Sequence, residues 1–111
     1  MDIVDIGDVA PFDPEKFVAQ ALIEGANSNV RIIRLAPGQA LPPHTHGESD
    51  LFLYIVEGEG RFETESGEHV HRSGSLIAMT GSEELRVANA GRSGLTLLAF
   101  LSPKFPPTPA A

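Results

Sequence analysis

The chain contains no cysteine among its 111 residues. This excludes a disulfide framework and a thiolate metal site, so any metal would be held by nitrogen and oxygen ligands. The first ten residues carry Asp2, Asp5 and Asp8 but no basic residue, and they lack the charge and the apolar run of a secretory signal. The longest apolar runs, such as residues 51–56, fall far short of the ~20 residues needed to cross a bilayer. We therefore expect a cytoplasmic protein without a membrane partner.

Basic residues are few and scattered. Eight lysines and arginines stand against fifteen aspartates and glutamates, which gives a formal net charge of -7. The arginines occur singly and form no cluster. Without a basic patch the chain has no electrostatic footprint for nucleic acid or for an anionic membrane. The expected partners are small organic molecules and protein surfaces.

Short β-like runs separated by turn residues make up most of the sequence. They recur roughly every 8 to 12 residues, with glycine at most boundaries, a pattern typical of an antiparallel sandwich or barrel. The sequence therefore predicts an all-β fold, and its length suits one domain. Only residues 13–24 have a claim to be helical, and their alternation slightly favours an outer strand.

The pattern divides the chain into three parts. Residues 1–29 form an N-terminal arm with the outer strand, residues 30–101 form the barrel, and residues 102–111 form a proline-rich tail. The prolines keep the tail from pairing as a central strand, so we expect an extended strap or a frayed end. Residues 51–56 are apolar on both faces, which indicates a cover on the second face too. Another sheet of the chain or a second subunit would supply it, and a homodimer is the economical inference for so short a chain.

The four histidines occur as two pairs, His44 with His46 and His69 with His71. Residues i and i+2 of an extended chain face the same way, so each pair can converge on one point. Imidazole pairs suit Fe, Mn, Ni, Zn or Cu. An isolated pair of this kind is more often a surface feature. Context favours the first pair, because two prolines lead into it rigidly and a fully apolar run follows.

The first pair lies in a stretch that resembles the first cupin motif, in which glycine, a His-x-His pair, glutamate and a second glycine follow at fixed spacing. The residues that match are Gly38, His44, His46 and Gly58. Residues 72–79 resemble the short strand before the second cupin motif, and residues 85–89 resemble its end, with Asn89 in place. The resemblance covers about residues 30–101. It implies a small single-domain cupin of the RmlC-like superfamily, which folds as a double-stranded β-helix or jelly-roll barrel.

The departures from these motifs fall at the residues that hold metal in the family. There, two histidines and a glutamate of the first motif and a histidine of the second are the ligands. Counting back from Gly58 places the glutamate position at Leu51, and counting forward from His46 with the shorter spacer places it at Asp50. Neither residue is glutamate. The second-motif histidine is replaced by Leu85, which cannot ligate a metal. On this alignment the usual four-ligand site cannot form.

Three interpretations of the site remain open. In the first, His44, His46 and one carboxylate, Asp50 or Glu48, hold Fe, Mn, Ni, Zn or Cu with open coordination positions, as in a dioxygenase or isomerase. In the second, metal binding is weak or absent and the cavity binds a small organic molecule. In the third, the second histidine pair completes a four-histidine cage. We take the second as the prediction and the metal-dependent enzyme as the alternative. The expected cavity residues are His44, His46, Tyr54, Leu85, Val87 and Asn89.

Overall fold

Strands account for about half of the chain in the computed structural model, which describes residues 1–106. One short 3-10 turn, Ile6–Asp8, precedes them. The strands are β1 (Val18–Glu24), β2 (Asn29–Leu35), β3 (Asp50–Glu57), β4 (Glu59–Thr64), β5 (Gly67–Arg72), β6 (Leu76–Met79), β7 (Val87–Asn89) and β8 (Leu95–Ser102). No helix in the described part is long and apolar enough to span a bilayer.

Two antiparallel sheets form the barrel. The larger has the strand order β1-β2-β8-β3-β6, and the smaller has the order β5-β4-β7. Leucine, isoleucine, valine and phenylalanine side chains from both sheets meet in one apolar core. The prediction of an all-β jelly-roll barrel is therefore confirmed. Because the sheets close over a shared interior, side chains at one end of the barrel can surround a cavity.

Residues 51–56, the run that is apolar on both faces, lie within β3. Its residues alternate between buried and exposed, with Leu51, Leu53 and Ile55 in the core and Phe52 and Tyr54 on the outer face. The core side of the strand is apolar because it packs against the other sheet. The outer side is apolar but exposed, so no sheet formed by residues 1–106 covers it.

The N-terminal part of the chain lies against the larger sheet. β1 occupies the segment for which the sequence favoured a strand, and it pairs with β2 at the edge. Ahead of it, the arm packs on the outer side of β2, where Arg34 donates to the carbonyl of Ile6 and lies 5.3 Å from the centre of the Phe12 ring. The division of the chain at residues 29 and 101 stays a prediction.

The first residues of the proline-rich tail are fixed to the barrel by side-chain hydrogen bonds. Ser49 Oγ donates to the carbonyl of Pro103 over 2.6 Å. The Asn29 amide donates to the carbonyl of Phe105 and accepts from its backbone N–H, at 2.7 Å and 3.0 Å. These bonds hold Phe105 against the apolar core. Residues 107–111 of the predicted tail lie outside the described residues.

Candidate functional site

A cavity of about 290 Å³ opens at one end of the barrel. Strands β1, β2, β3 and β8 line it, together with the segments that precede β3 and β7 and the first residues of the tail. Most of the wall consists of leucine, isoleucine, alanine, phenylalanine and proline. Within residues 1–106, the polar side chains in the wall are Arg31, His44 and His46. The cavity can therefore bury an apolar body while it offers a few polar contacts at fixed places.

Two backbone hydrogen bonds place His44 and His46 on the same part of the wall. The backbone N–H of Leu85 donates to the carbonyl of His44, and the N–H of His46 donates to the carbonyl of Gly81, each over 2.8 Å. The two rings meet edge to face, with centroids 4.5 Å apart and planes inclined by 62°. The structure thus brings together the first histidine pair that the sequence singled out.

Close packing at Gly81 keeps the backbone hydrogen bond between His46 and Gly81 in place. A Cβ atom added to Gly81 would overlap the carbonyl oxygen of Gly47 and would lie 2.6 Å from that of Ser49. No larger residue fits at position 81 unless the backbone of residues 47–49, which follows His46, moves away. The glycine therefore sets how closely the segment before β7 approaches the histidines.

The histidines have different surroundings. His44 is partly exposed, and its Nδ1 lies 2.9 Å from the carbonyl oxygen of Pro42. His46 is only 4% exposed and packs its ring edge against Phe105, with centroids 5.0 Å apart. Burial lowers the pKa of His46, and the neighbouring His44 lowers it further. His46 is therefore neutral at pH 7.

One ring nitrogen of His46 lacks a hydrogen bond. Its Nδ1 is fully buried and has no partner among residues 1–106. Leaving such a group unsatisfied costs roughly 1–3 kcal/mol. Because Nδ1 has no accessible surface, a molecule in the cavity cannot reach it unless the surrounding side chains move.

The side chains around the histidine pair do not fit a resident metal ion. Leu51 and Leu85 occupy the cavity wall beside them. Asp50 precedes Leu51 in β3 and is exposed, because successive side chains of a strand point to opposite faces. Glu48 is also exposed. Among the described residues, no three His, Asp or Glu side chains are grouped so that they could hold a metal. The predicted ligands His44, His46 and Asp50 are therefore not grouped into a metal site. Residues 1–106 offer no other group of three ligands for the expected Fe, Mn, Ni, Zn or Cu.

The second histidine pair lies elsewhere. His69 and His71 are exposed on β5, at the edge of the smaller sheet, with ring centroids 6.2 Å apart. His69 Nε2 lies 3.1 Å from Ser66 Oγ. Within residues 1–106, the two histidine pairs do not come close enough to share one metal ion. The four-histidine cage considered from the sequence is not formed.

Three further residues expected in the cavity are not part of its wall. Tyr54 lies on the outer face of β3, where strand alternation directs it away from the interior. Val87 is buried in the apolar core. The Asn89 amide donates to the carbonyls of Leu35 and Ser93 and accepts from the N–H of Gly91, each over 2.8 Å. Of the predicted residues 85, 87 and 89, only Leu85 lines the cavity.

Eleven of the fourteen described residues that line the cavity were not identified as cavity residues from the sequence, Arg31 and Phe105 among them. Arg31 lies on β2 and lines the cavity together with Ile33. The alternation of Arg31, Ile33 and a buried Leu35 along one strand is a signal that could have revealed it. Phe105 had no local signal, since its position depends on hydrogen bonds with Asn29, which is 76 residues away in the chain.

Comparison with protein families and curated sequences agrees with this architecture. The family model described as "Cupin domain" matches residues 31–101. No curated protein sequence matches the chain significantly.

Solved structures are similar along nearly the whole chain. A protein from Thermus thermophilus is 27% identical, with a TM-score of 0.84 over 94% of this chain and 99% of that one. An RmlC-like cupin from Desulfovibrio desulfuricans is 23% identical, with a TM-score of 0.81 over 95% and 99%. A predicted oxalate decarboxylase from Thermotoga maritima is 21% identical, with a TM-score of 0.71 over 78% and 79%. At identities of 23% and 21%, the similarity to the last two structures shows a shared fold alone.

Proposed function

Because this chain belongs to the cupin family, we propose that it uses the barrel cavity to bind a small, largely apolar organic molecule. The observation that best supports this function is the composition of the cavity wall. On the alignment above, Leu85 takes the place of the second-motif histidine, and Leu51 is one of the two residues that fall at the glutamate position; both line the cavity. Leucines in place of two ligands make the pocket drier and more apolar, which suits a binding site.

The cavity volume limits the size of the ligand. Apolar cavities of about 150 Å³ bind benzene. A cavity of about 290 Å³ is about twice as large, so a bicyclic molecule of about ten non-hydrogen atoms should fit. Small ligands of this size that rely on apolar burial bind with dissociation constants of roughly 10 μM to 1 mM.

A neutral bicyclic probe tests the binding function. We expect 2-naphthamide to bind the parent protein in calorimetry and to lose at least about tenfold in affinity in Ala99→Leu, whose larger side chain would project into the cavity. Ala26→Leu is the matched control, because Ala26 is exposed in the turn between β1 and β2. Ala26→Leu should bind the probe as the parent does. Equal affinity of Ala99→Leu and the parent would place the probe outside the cavity.

The alternative of a metal-dependent dioxygenase or isomerase has less support. The side chains around His44 and His46 supply no third metal ligand within residues 1–106. The Thermotoga maritima protein is described as a predicted oxalate decarboxylase, but an identity of 21% shows only a shared fold. We therefore propose binding for this chain and not a metal-dependent reaction.

We also propose that the chain forms a homodimer through the outer face of its larger sheet. Four exposed side chains adjoin one another there, since Phe52 pairs with Phe100 and Tyr54 with Leu76 across neighbouring strands. We call these four residues the outer apolar patch. Adjoining exposed apolar side chains are typical of protein–protein interaction sites. The patch contains no charged side chain, so two copies of net charge -7 can meet there without bringing like charges together, and a two-fold axis would pair it with itself.

Light scattering tests this association. The parent protein should have a mass near twice the 11.8 kDa of one chain at micromolar concentration. Phe52→Glu should weaken the dimer at least about tenfold, because it places two like charges in the interface. Val70→Glu is the control, since Val70 is 54% exposed on the smaller sheet and Phe52 is 53% exposed. A monomeric parent, or a Val70→Glu variant as dissociated as Phe52→Glu, would count against this interface.

A further inference from the structure

Within residues 1–106, Arg31 is the one charged side chain that lines the cavity. It lies half-buried on β2, with its Cα paired with that of Ala21 on β1 and that of Ala99 on β8. Directly opposed residues of paired strands share a face of the sheet. Both cross-strand neighbours of Arg31 on this face are therefore small.

Arg31 also lacks an anionic partner in the described part of the chain. Three other arginines each pair with a glutamate, whereas no described carboxylate pairs with Arg31. Acidic residues are not scarce, because the chain has fifteen of them, yet none is among the described residues that line the cavity. A cation held against apolar side chains without a counter-ion carries a desolvation cost, and a bound anion would offset it.

We propose that the ligand of the cavity is a small monocarboxylic acid and that Arg31 binds its carboxylate. This inference rests on the proposed binding function and names the ligand class. The planar guanidinium matches a carboxylate in a bidentate arrangement. A phosphomonoester suits the site less well, since it carries nearly two negative charges at pH 7 and Arg31 is the single charged side chain that residues 1–106 place in the cavity wall.

The rest of the wall determines the remainder of the ligand. Leu51, Leu85 and Leu101 provide apolar surface for a hydrocarbon body. His46 is held neutral by burial, so it adds no second positive charge. A ligand with one carboxylate and an aromatic or branched aliphatic body therefore matches both the charge and the size of the site.

A pair of probes of equal shape tests the inference on the full-length protein. 2-Naphthoate and 2-naphthamide differ in charge and share the same body. In calorimetry at pH 7 we expect the parent to bind naphthoate at least about tenfold more tightly than naphthamide. Arg31→Gln should abolish this preference and retain the affinity for naphthamide within about twofold, because the apolar wall is unchanged. Arg92→Gln removes one exposed positive charge outside the cavity and should keep the parent's preference.

The outcomes separate this inference from the function on which it rests. Equal affinity of the parent for both probes, or a preference that survives in Arg31→Gln, would overturn the role of Arg31 while cavity binding stands. Tighter binding of 2-naphthyl phosphate than of 2-naphthoate would overturn the carboxylate assignment. Binding of neither bicyclic probe to the parent would contradict the proposed function itself. Circular dichroism of each variant confirms that a loss of affinity does not reflect unfolding.

Discussion

Replacing Leu51 with glutamate and Leu85 with histidine should convert the cavity into a metal site. Both leucines line the wall beside His44 and His46, and the backbone of Leu85 is bonded to that of His44. The double variant would supply three imidazoles and one carboxylate, a set that binds divalent first-row metals. We expect its affinity for Ni²⁺ or Zn²⁺, measured by calorimetry, to exceed that of the parent at least about 100-fold.

Simpler variants show which ligands are responsible. Leu85→His alone adds one imidazole to two that are already placed, so a gain of at least about tenfold is expected. Adding His44→Ala to the double variant removes one of its four ligands and should lower its affinity at least about tenfold. If Leu85→His folds with an unchanged melting temperature but binds Ni²⁺ no more tightly than the parent, residue 85 does not occupy a ligand position.

The fold could be predicted because its signals are local. Glycines between short β-like runs indicated where strands end. The run at residues 51–56 is apolar throughout, so its sequence did not show which side chains of β3 are buried and which are exposed. The spacing of Gly38, His44, His46 and Gly58, combined with the second-motif match that ends at Asn89, indicated the resemblance to cupins. Each of these signals depends on residues close together in the chain, and the family match over residues 31–101 confirms the resemblance.

The site was harder to predict because it depends on register and on distant partners. Two spacers placed the glutamate position on Asp50 or on Leu51, and a shift of one residue moves a side chain to the other face of its strand. Pairing of Leu51 with Leu101 on β8 fixes that register, and the sequence alone does not show this pairing. Similarly, the role of Asn89 depends on the carbonyl of Leu35, which is 54 residues away.

Replacing Asn89 with alanine should therefore destabilise the barrel and not merely alter its cavity. The amide makes three hydrogen bonds, joining the end of β7 to the end of β2 and to the turn before β8. Without it, the carbonyl of the fully buried Leu35 loses this partner. Losing hydrogen bonds at a buried site costs about 1–3 kcal/mol per unsatisfied group. We expect Asn89→Ala to lower the free energy of unfolding in urea by about 2–4 kcal/mol.

Two further variants show whether Asn89 acts through these bonds. Asn27→Ala changes an exposed asparagine in the turn before β2, so it should change the free energy of unfolding by no more than about 0.5 kcal/mol. Asn89→Asp should be at least as destabilising as Asn89→Ala at pH 7, because a carboxylate oxygen would replace the donor that faces two carbonyl oxygens. An Asn89→Ala variant with the parent's urea midpoint but weaker binding of 2-naphthoate would instead assign Asn89 to the cavity, as the sequence had predicted. The structure favours a loss of stability in Asn89→Ala, because all three hydrogen bonds of the amide are with the protein's own backbone.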